Sequence, residues 1–308
     1  MNTKKYLQMA AAAATLLVVL VLLFWKPSVL IYGIQNAGLY AAIALPMALI
    51  LGIVGIINLA HGEFMMLGAY LSYWVSTQFG IDPFLGMIPV VAAMVLVGVL
   101  TYKTTINKVL SAPELNQLTL TFGIAMVVSQ VVNLIATSQP RKLSLGYVSS
   151  SATVGEMSFG TYDFIFVAVA VIFLAGLLFF LKRTKLGKAA VAVGQNPRGA
   201  RLVGINVGQT YMFIFSIALG MLGITGTLFL TSHSIFPLVG GPYTMKSFCL
   251  VAMAGIGQLQ PILWGSIVLG ISESFIMSFK GYGGWADIVF FAIIVIVILS
   301  RAYKRTDS

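Results

Sequence analysis

INLAHGEFMMLGAYL, residues 57–71, is the stretch on which the fold turns. It lies within apolar sequence that begins at Val29 and runs on to Val75, yet it carries Asn58, His61 and Glu63. A helix that crosses a bilayer needs about 20 consecutive, mostly apolar residues. The whole chain fits that solvent. Its 308 residues are 59% hydrophobic and only 8% charged, whereas an ordinary soluble domain is about 25% charged. There are too few charges to cover a water-facing surface. The apolar runs are continuous and do not alternate at period two, which argues against a barrel. The reading is an all-α polytopic membrane protein.

The apolar segments fall near 8–25, 28–51, 53–77, 84–102, 115–137, 163–181, 209–231, 246–257, 261–279 and 285–300. This predicts eight to ten helices, transmembrane or partly broken. The segment at 246–257 is short for a crossing. The leading segment ends in Trp-Lys-Pro, not in the small residues of a cleavage site, and is read as a retained span. Lys and Arg hold loops on the cytoplasmic side. Alternating the spans from a cytoplasmic N-terminus puts thirteen of the 18 Lys and Arg inside. They are Lys4 and Lys5; Lys103 and Lys108; Lys182, Arg183, Lys185, Lys188, Arg198 and Arg201; and Arg301, Lys304 and Arg305. Asp82, Glu156, Asp163 and Asp287 fall outside. Both termini are therefore expected in the cytoplasm if 246–257 crosses; if that segment only re-enters, the C-terminus lies on the opposite side. The net charge of +10 is accounted for as topogenic. Cys249 is the only cysteine, so the chain has no internal disulfide and no thiolate cluster.

The longest cytoplasmic connection, 181–209, contains GQNPRGARLVGIN. Asn196 suits an N-cap and Pro197 the first helical position. Gly204 suits the C-terminal stop. A helix of about two turns follows, carrying Arg198, Arg201, Leu202 and Val203, with Ile205 just beyond. So short a helix is marginal alone in water, and its mixed basic and apolar content suits docking in a groove on a partner. The other reading is a solvated basic loop that only sets topology.

Three stretches together carry a resemblance. GIVGIINLAHGEFMMLGAYLSYW at 52–74, RTKLGKAAVAVGQNPRGARLVGIN at 183–206, and GPYTMKSFCLVAMAGIG at 241–257 followed by WGSIVLGISES resemble the permease family of ABC importers for branched-chain amino acids, over about residues 28–300. The resemblance implies a permease transmembrane domain at 28–300 with a coupling loop at 182–208; the apolar and basic runs add a leading transmembrane helix at 1–27, which not every member of the family has, and a cytoplasmic tail at 301–308. It implies that Asn196 to Ile205 dock on an ATPase subunit. It further implies a second, homologous permease, two ATPase subunits, an extracytoplasmic substrate-binding protein, a bacterial inner-membrane location and no cofactor. The sequence departs from the family at Gly194-Gln195-Asn196-Pro197, where acidic residues are common. Urea and short amides are alternative substrates, since related permeases carry them. An ion-coupled secondary transporter is the competing class.

A charged residue within a span costs about 2.5–3.5 kcal/mol on insertion scales and usually faces the bundle interior or water. Glu63 and Glu273 are the acids most clearly inside apolar segments. Residues advance about 100° each along a helix, so His61 and Glu63 lie about 200° apart. One straight helix cannot aim both at one pathway. Either they do different work, or Gly62 breaks the helix and makes Glu63 an early residue of a second half-helix, where its charge suits the dipole. Asn58 would then satisfy freed backbone groups. Asn58, His61, Glu63, Glu273 and Lys246 are the candidates for a translocation path or gate. Interhelical hydrogen bonding that fixes the fold is the alternative for each. Lys246 is placed either to pair with a Glu or to snorkel to the surface. No GxxxxGK[ST], HExxH or nucleophile motif is present, so no catalytic or metal-ligating residue is assigned and the chain is read as a transport subunit that catalyses no covalent reaction.

Overall fold

The computed structural model describes residues 26–148, 150–154 and 157–306. The leading span expected at 8–25, with Lys4, Lys5 and Glu156, lies outside these residues. Six described helices are long and apolar enough to cross a membrane: α1 (Pro27–Val54), α3 (Pro83–Val109), α4 (Glu114–Ala136), α5 (Phe164–Arg183), α8 (Val207–Ser232) and α10 (Gln260–Met277). The other helices are α2 (His61–Phe79), α6 (Lys185–Gln195), α7 (Pro197–Leu202), α9 (Gly240–Ala254) and α11 (Trp285–Thr306). One antiparallel hairpin, β1 (Ser151–Val154) and β2 (Met157–Gly160), lies between α4 and α5.

Burial sorts the spans into an inner and an outer set. α1 and α8 are largely enclosed, whereas α3, α4 and α5 turn most of their surface outward. Outward residues include Leu96, Leu100, Phe122, Leu134, Ile172 and Phe179. In water so large an apolar surface would drive association; in hydrocarbon it is the matched surface. α1 packs on α10 and α5, and α8 packs on α3 and α2. Tails of lipid are as apolar as Leu, so helix association relies on close van der Waals fit through small residues. Gly38 accordingly sits against the Phe166–Val167 backbone, and Gly226 against that of Met65 and Ala69.

Two ends of the bundle differ. At one, Gly52 near the end of α1 meets Gly194 of α6 and Gly257 of the α9–α10 loop. The π-helical end of α3 (Tyr102–Ile106), with Lys103, lies by α8 at this same end, as do the basic residues of α6 and α7. At the other end, Lys26 donates to Ser278 Oγ at 3.2 Å, Gln35 donates to the Gly160 carbonyl at 2.7 Å, and Tyr147 donates to Asp82 at 2.9 Å. The charge asymmetry read from sequence is thus an asymmetry in space.

The helix register is interrupted where sequence reasoning expected trouble, but not at the expected residue. α1 has Pro46 inside it, closes with the π-helical turn Ile50–Val54, and stops at Gly55, whose φ of 76° only glycine adopts freely. Residues 55–60 are not helical, and α2 starts at His61. The break therefore precedes Gly62. Gly62 lies inside α2, where its lack of a side chain serves a close backbone contact. The 55–60 segment runs back into the bundle. His61 Nε2 donates to the Ile43 carbonyl at 2.8 Å, and Ile43 lies about 16 Å of helix before the end of α1. A second non-helical stretch, 233–239, precedes α9. Ser129 Oγ on α4 donates to its Pro237 carbonyl at 2.6 Å, as irregular backbone at membrane depth requires. Thr121 does the same for the Ile57 carbonyl at 3.1 Å.

Candidate functional site

The two interrupted segments deliver two helix starts to one place. A Cβ on Gly62 would lie 1.9 Å from the Gly240 carbonyl oxygen, and a Cβ on Gly240 2.4 Å from the Gly62 carbonyl carbon. The backbones of α2 and α9 touch there, and no other residue type fits either position. Gly62 N–H donates to Thr244 Oγ1 of α9 at 2.7 Å, which satisfies one of the free amides of the first turn.

Asn58, His61 and Glu63 surround this junction with separate tasks. Asn58 Oδ1 accepts from Ala60 N–H at 3.1 Å, holding the turn into α2. His61 bonds through Nε2 to α1, as above. Glu63 stands in the first turn of α2, where a negative charge complements the helix dipole. All three are buried. Each also keeps one buried polar atom with no protein partner: Asn58 Nδ2, His61 Nδ1 and Glu63 Oε2. Such a concentration is unusual, because buried polar groups are normally satisfied. The neighbouring Met65 and Met66 are fully packed in the core.

Lys246 and Glu273 form a second, distinct cluster. Lys246 Nζ lies 2.9 Å from Glu273 Oε1 and 3.0 Å from Asp287 Oδ1. Tyr40 OH donates to Glu273 Oε2 and accepts from Lys246 at 3.3 Å. Lys246 also lies 5.0 Å from the Tyr40 ring centroid and 5.1 Å from that of Phe290, within cation–π range. Helices α1, α9, α10 and α11 are thereby joined through one ammonium. Of the two expectations for Lys246, pairing with a Glu and snorkelling to the surface, the structure has the first; the parts of Tyr40 and Asp287 had no counterpart in the sequence reading. Asp287, at the start of the last apolar segment, had been read only as an external charge. Its place in the first turn of α11 was the available signal. The five path candidates thus separate into two groups, Asn58–His61–Glu63 and Lys246–Glu273.

At the basic end the connection between α5 and α8 is mostly helix, where sequence reasoning had read a loop holding one short helix. Thr184 caps α6 by accepting from Gly187 N–H at 2.9 Å. Gly187, Ala190 and Val193, three residues apart, form its buried face. The expected helix is α7: Asn196 Oδ1 accepts from Gly199 N–H at 2.9 Å, Pro197 begins it, and Gly204, at φ 84°, follows its end. Ala200 anchors α7 in a small apolar cluster with Val193 and Val207, which Ile205 also joins. Ile205 is thus turned partly inward. Arg198 and Arg201 are exposed, and Leu202 and Val203 stand out with 89% and 76% of their surface free.

Among the described residues, no group of three His, Cys, Asp or Glu side chains is placed to hold a metal ion.

Against known proteins, the family described as "Branched-chain amino acid transport system / permease component" matches residues 29–298. The chain is 27% identical over 282 residues to the high-affinity branched-chain amino acid transport system permease protein LivH of Escherichia coli K12, covering 87% of this chain and 91% of that one. It is 25% identical over 287 residues to BraD of Pseudomonas aeruginosa, a protein of the same description, with 88% and 92% covered. The probable branched-chain amino acid transport permease LivH of Methanocaldococcus jannaschii is 26% identical over 288 residues, with 89% and 90% covered. No solved structure matches the chain.

Proposed function

The chain belongs to the family of permease components of branched-chain amino acid transport systems, and from that premise we propose that it is the membrane-spanning subunit of an ATP-driven importer. It carries branched-chain or related hydrophobic amino acids inward across a bacterial inner membrane. Residues 28–300 form the transmembrane domain, residues 1–27 a leading span and 301–308 a tail. The basic end faces the cytoplasm, as the positive-inside rule requires, and both termini lie there. Residues 182–208 form the coupling loop. The chain works with a homologous second permease, two ATPase subunits and an extracytoplasmic binding protein, which delivers substrate near 138–160 and 232–247.

The observation that carries this reading is the solvent face of α7. Leu202 and Val203 are the apolar tip of a capped helix anchored beneath by Ala200, and they are flanked by two arginines. An apolar pair left in water on a fixed support is what a docking contact needs. ATP binding and hydrolysis on the partner subunits move this knob, and the bundle answers by opening alternately to either side. The α2–α9 junction, with Asn58, His61 and Glu63, lines or gates the path. Lys246 and Glu273 hold the wall beside it.

Copurification tests the docking role. Leu202→Asp should lose the ATPase subunits while the permease still inserts and remains monodisperse. An unchanged complex would refute the assignment of Asn196 to Ile205.

A further inference from the structure

Resting on that reading, we infer that Gly194, Gly52 and Gly257 are positioning residues of the transport cycle, forming the contact through which movement of the α6–α7 knob sets the bend at the end of α1.

Three chain segments meet at these glycines with almost nothing between their backbones. A Cβ on Gly194, at the end of α6, would lie 3.1 Å from the Gly52 carbonyl oxygen and 3.3 Å from the Ile53 Cα. A Cβ on Gly52 would lie 2.9 Å from the Gly257 Cα. The order of elements gives the contact its meaning. Gly194 is followed by Gln195 and then by Asn196, the cap of α7. Displacing α7 therefore displaces Gly194, because only Gln195 and Asn196 separate the two. On the other side, Gly52 sits inside the π-helical turn Ile50–Val54. Such a turn carries an extra residue per loop and marks places where helices deform, frequently at functional sites. It leads directly through Gly55 into the 55–60 segment and so to Asn58, His61 and Glu63.

The surroundings leave room for the contact to move. A cavity of about 280 Å3 borders it, lined by Ala48, Gly52, Ile53, Gly194, Gln195 and Gly257. Gly257, at φ 79°, has open space on its Cβ side. Tight backbone contact on one side and free volume on the other suit sliding between two packed positions. Side chains at Gly52 or Gly194 would interlock with the facing backbone and fix one of them.

The test uses the whole complex in lipid nanodiscs or vesicles: both permeases, the ATPases and the binding protein, with Gly194→Ala, Gly194→Val and Leu202→Asp made in this chain. Three readouts are taken: ATPase copurification, ATP hydrolysis and solute uptake. Gly194→Val should keep the ATPases bound and keep hydrolysis within about twofold of the parent, while uptake falls at least tenfold, so that ATP consumed per solute rises. Gly194→Ala, whose Cβ needs only a few tenths of an ångström of adjustment, should fall between. Hydrogen exchange of amides 50–60 should respond to ATP in the parent and not in Gly194→Val. Hydrolysis and uptake falling in proportion would overturn the inference, as would unchanged uptake. Loss of the ATPases from Gly194→Val would overturn it too, by making the contact part of docking. The Leu202→Asp arm reports separately on the docking reading: if the ATPases stay bound there, that reading fails whatever the glycine variants do.

Discussion

Replacing Lys246 with Met removes the one cation that holds four helices to a buried carboxylate. Lys246 is 8% exposed and Glu273 3%, so water cannot take over the lost partner. Glu273 would keep only the Tyr40 hydroxyl. Removing one partner of a buried ion pair typically costs about 3–5 kcal/mol, because the remaining charge is uncompensated. At roughly 2–4 °C per kcal/mol for a chain of this size class, thermal inactivation in detergent should fall by on the order of 10 °C. Asp287 contacts the same ammonium at 3.0 Å, but its side chain is 65% exposed. Asp287→Asn should therefore cost at most about 1 kcal/mol, the range of exposed pairs. The double variant Lys246→Met with Glu273→Met leaves no buried charge in the pair and should recover most of the loss, since apolar replacement of a whole buried pair is often neutral or stabilising. The assay is the monodisperse fraction remaining after a temperature series, read by size-exclusion chromatography. The reasoning is refuted if Lys246→Met loses no more than Asp287→Asn, or if the double variant is no better than the single one. Uptake by the double variant adds a functional answer: recovered stability without recovered transport places these residues on the path as well as in the wall.

Other outcomes follow from the same contacts. Glu63→Gln keeps the shape of the side chain at the α2–α9 junction, so assembly should persist while uptake drops several-fold; equal loss of both would make Glu63 purely structural. Gly240→Ala drives a methyl into the Gly62 backbone, and overpacking of this kind costs about 1–3 kcal/mol or more, so its yield of folded protein should fall well below that of an alanine placed at the open position Gly123. Arg201→Asp reverses a charge on the exposed face of α7 and should weaken ATPase capture in pull-downs without changing membrane insertion.

Much of this architecture was legible because a bilayer constrains sequence so strongly. The length and continuity of the apolar runs gave the spans, and the Lys and Arg grouping foretold the two unlike ends. Helix α7 was readable to the residue, since Asn196, Pro197 and Gly204 are local signals that need no tertiary information. The conflict between His61 and Glu63 left two alternatives, separate tasks or a break at Gly62; the structure has both separate tasks and a break, but the break lies at 55–60. A glycine in a positive-φ turn, Gly55, and a glycine at a backbone contact, Gly62, look alike in one dimension. α6 was missed because its cluster of basic residues suggested a solvated loop, although Gly187, Ala190 and Val193 fall on one face opposite the charges. The glycine-rich stretches 52–66 and 255–277 touch at Gly52 and Gly257, a contact between segments about 200 residues apart that neither stretch announces by itself. The four-helix cluster around Lys246 joins residues up to 247 positions apart, from Tyr40 to Asp287, and no local pattern encodes that.

Reconstitution in sealed vesicles tests most directly whether motive force enters through the cytoplasmic knob. With the second permease, both ATPases and the binding protein present, uphill amino-acid uptake should require ATP and should be abolished by Leu202→Asp. Uphill uptake by the permease chain alone, driven by an imposed ion gradient, would contradict the account.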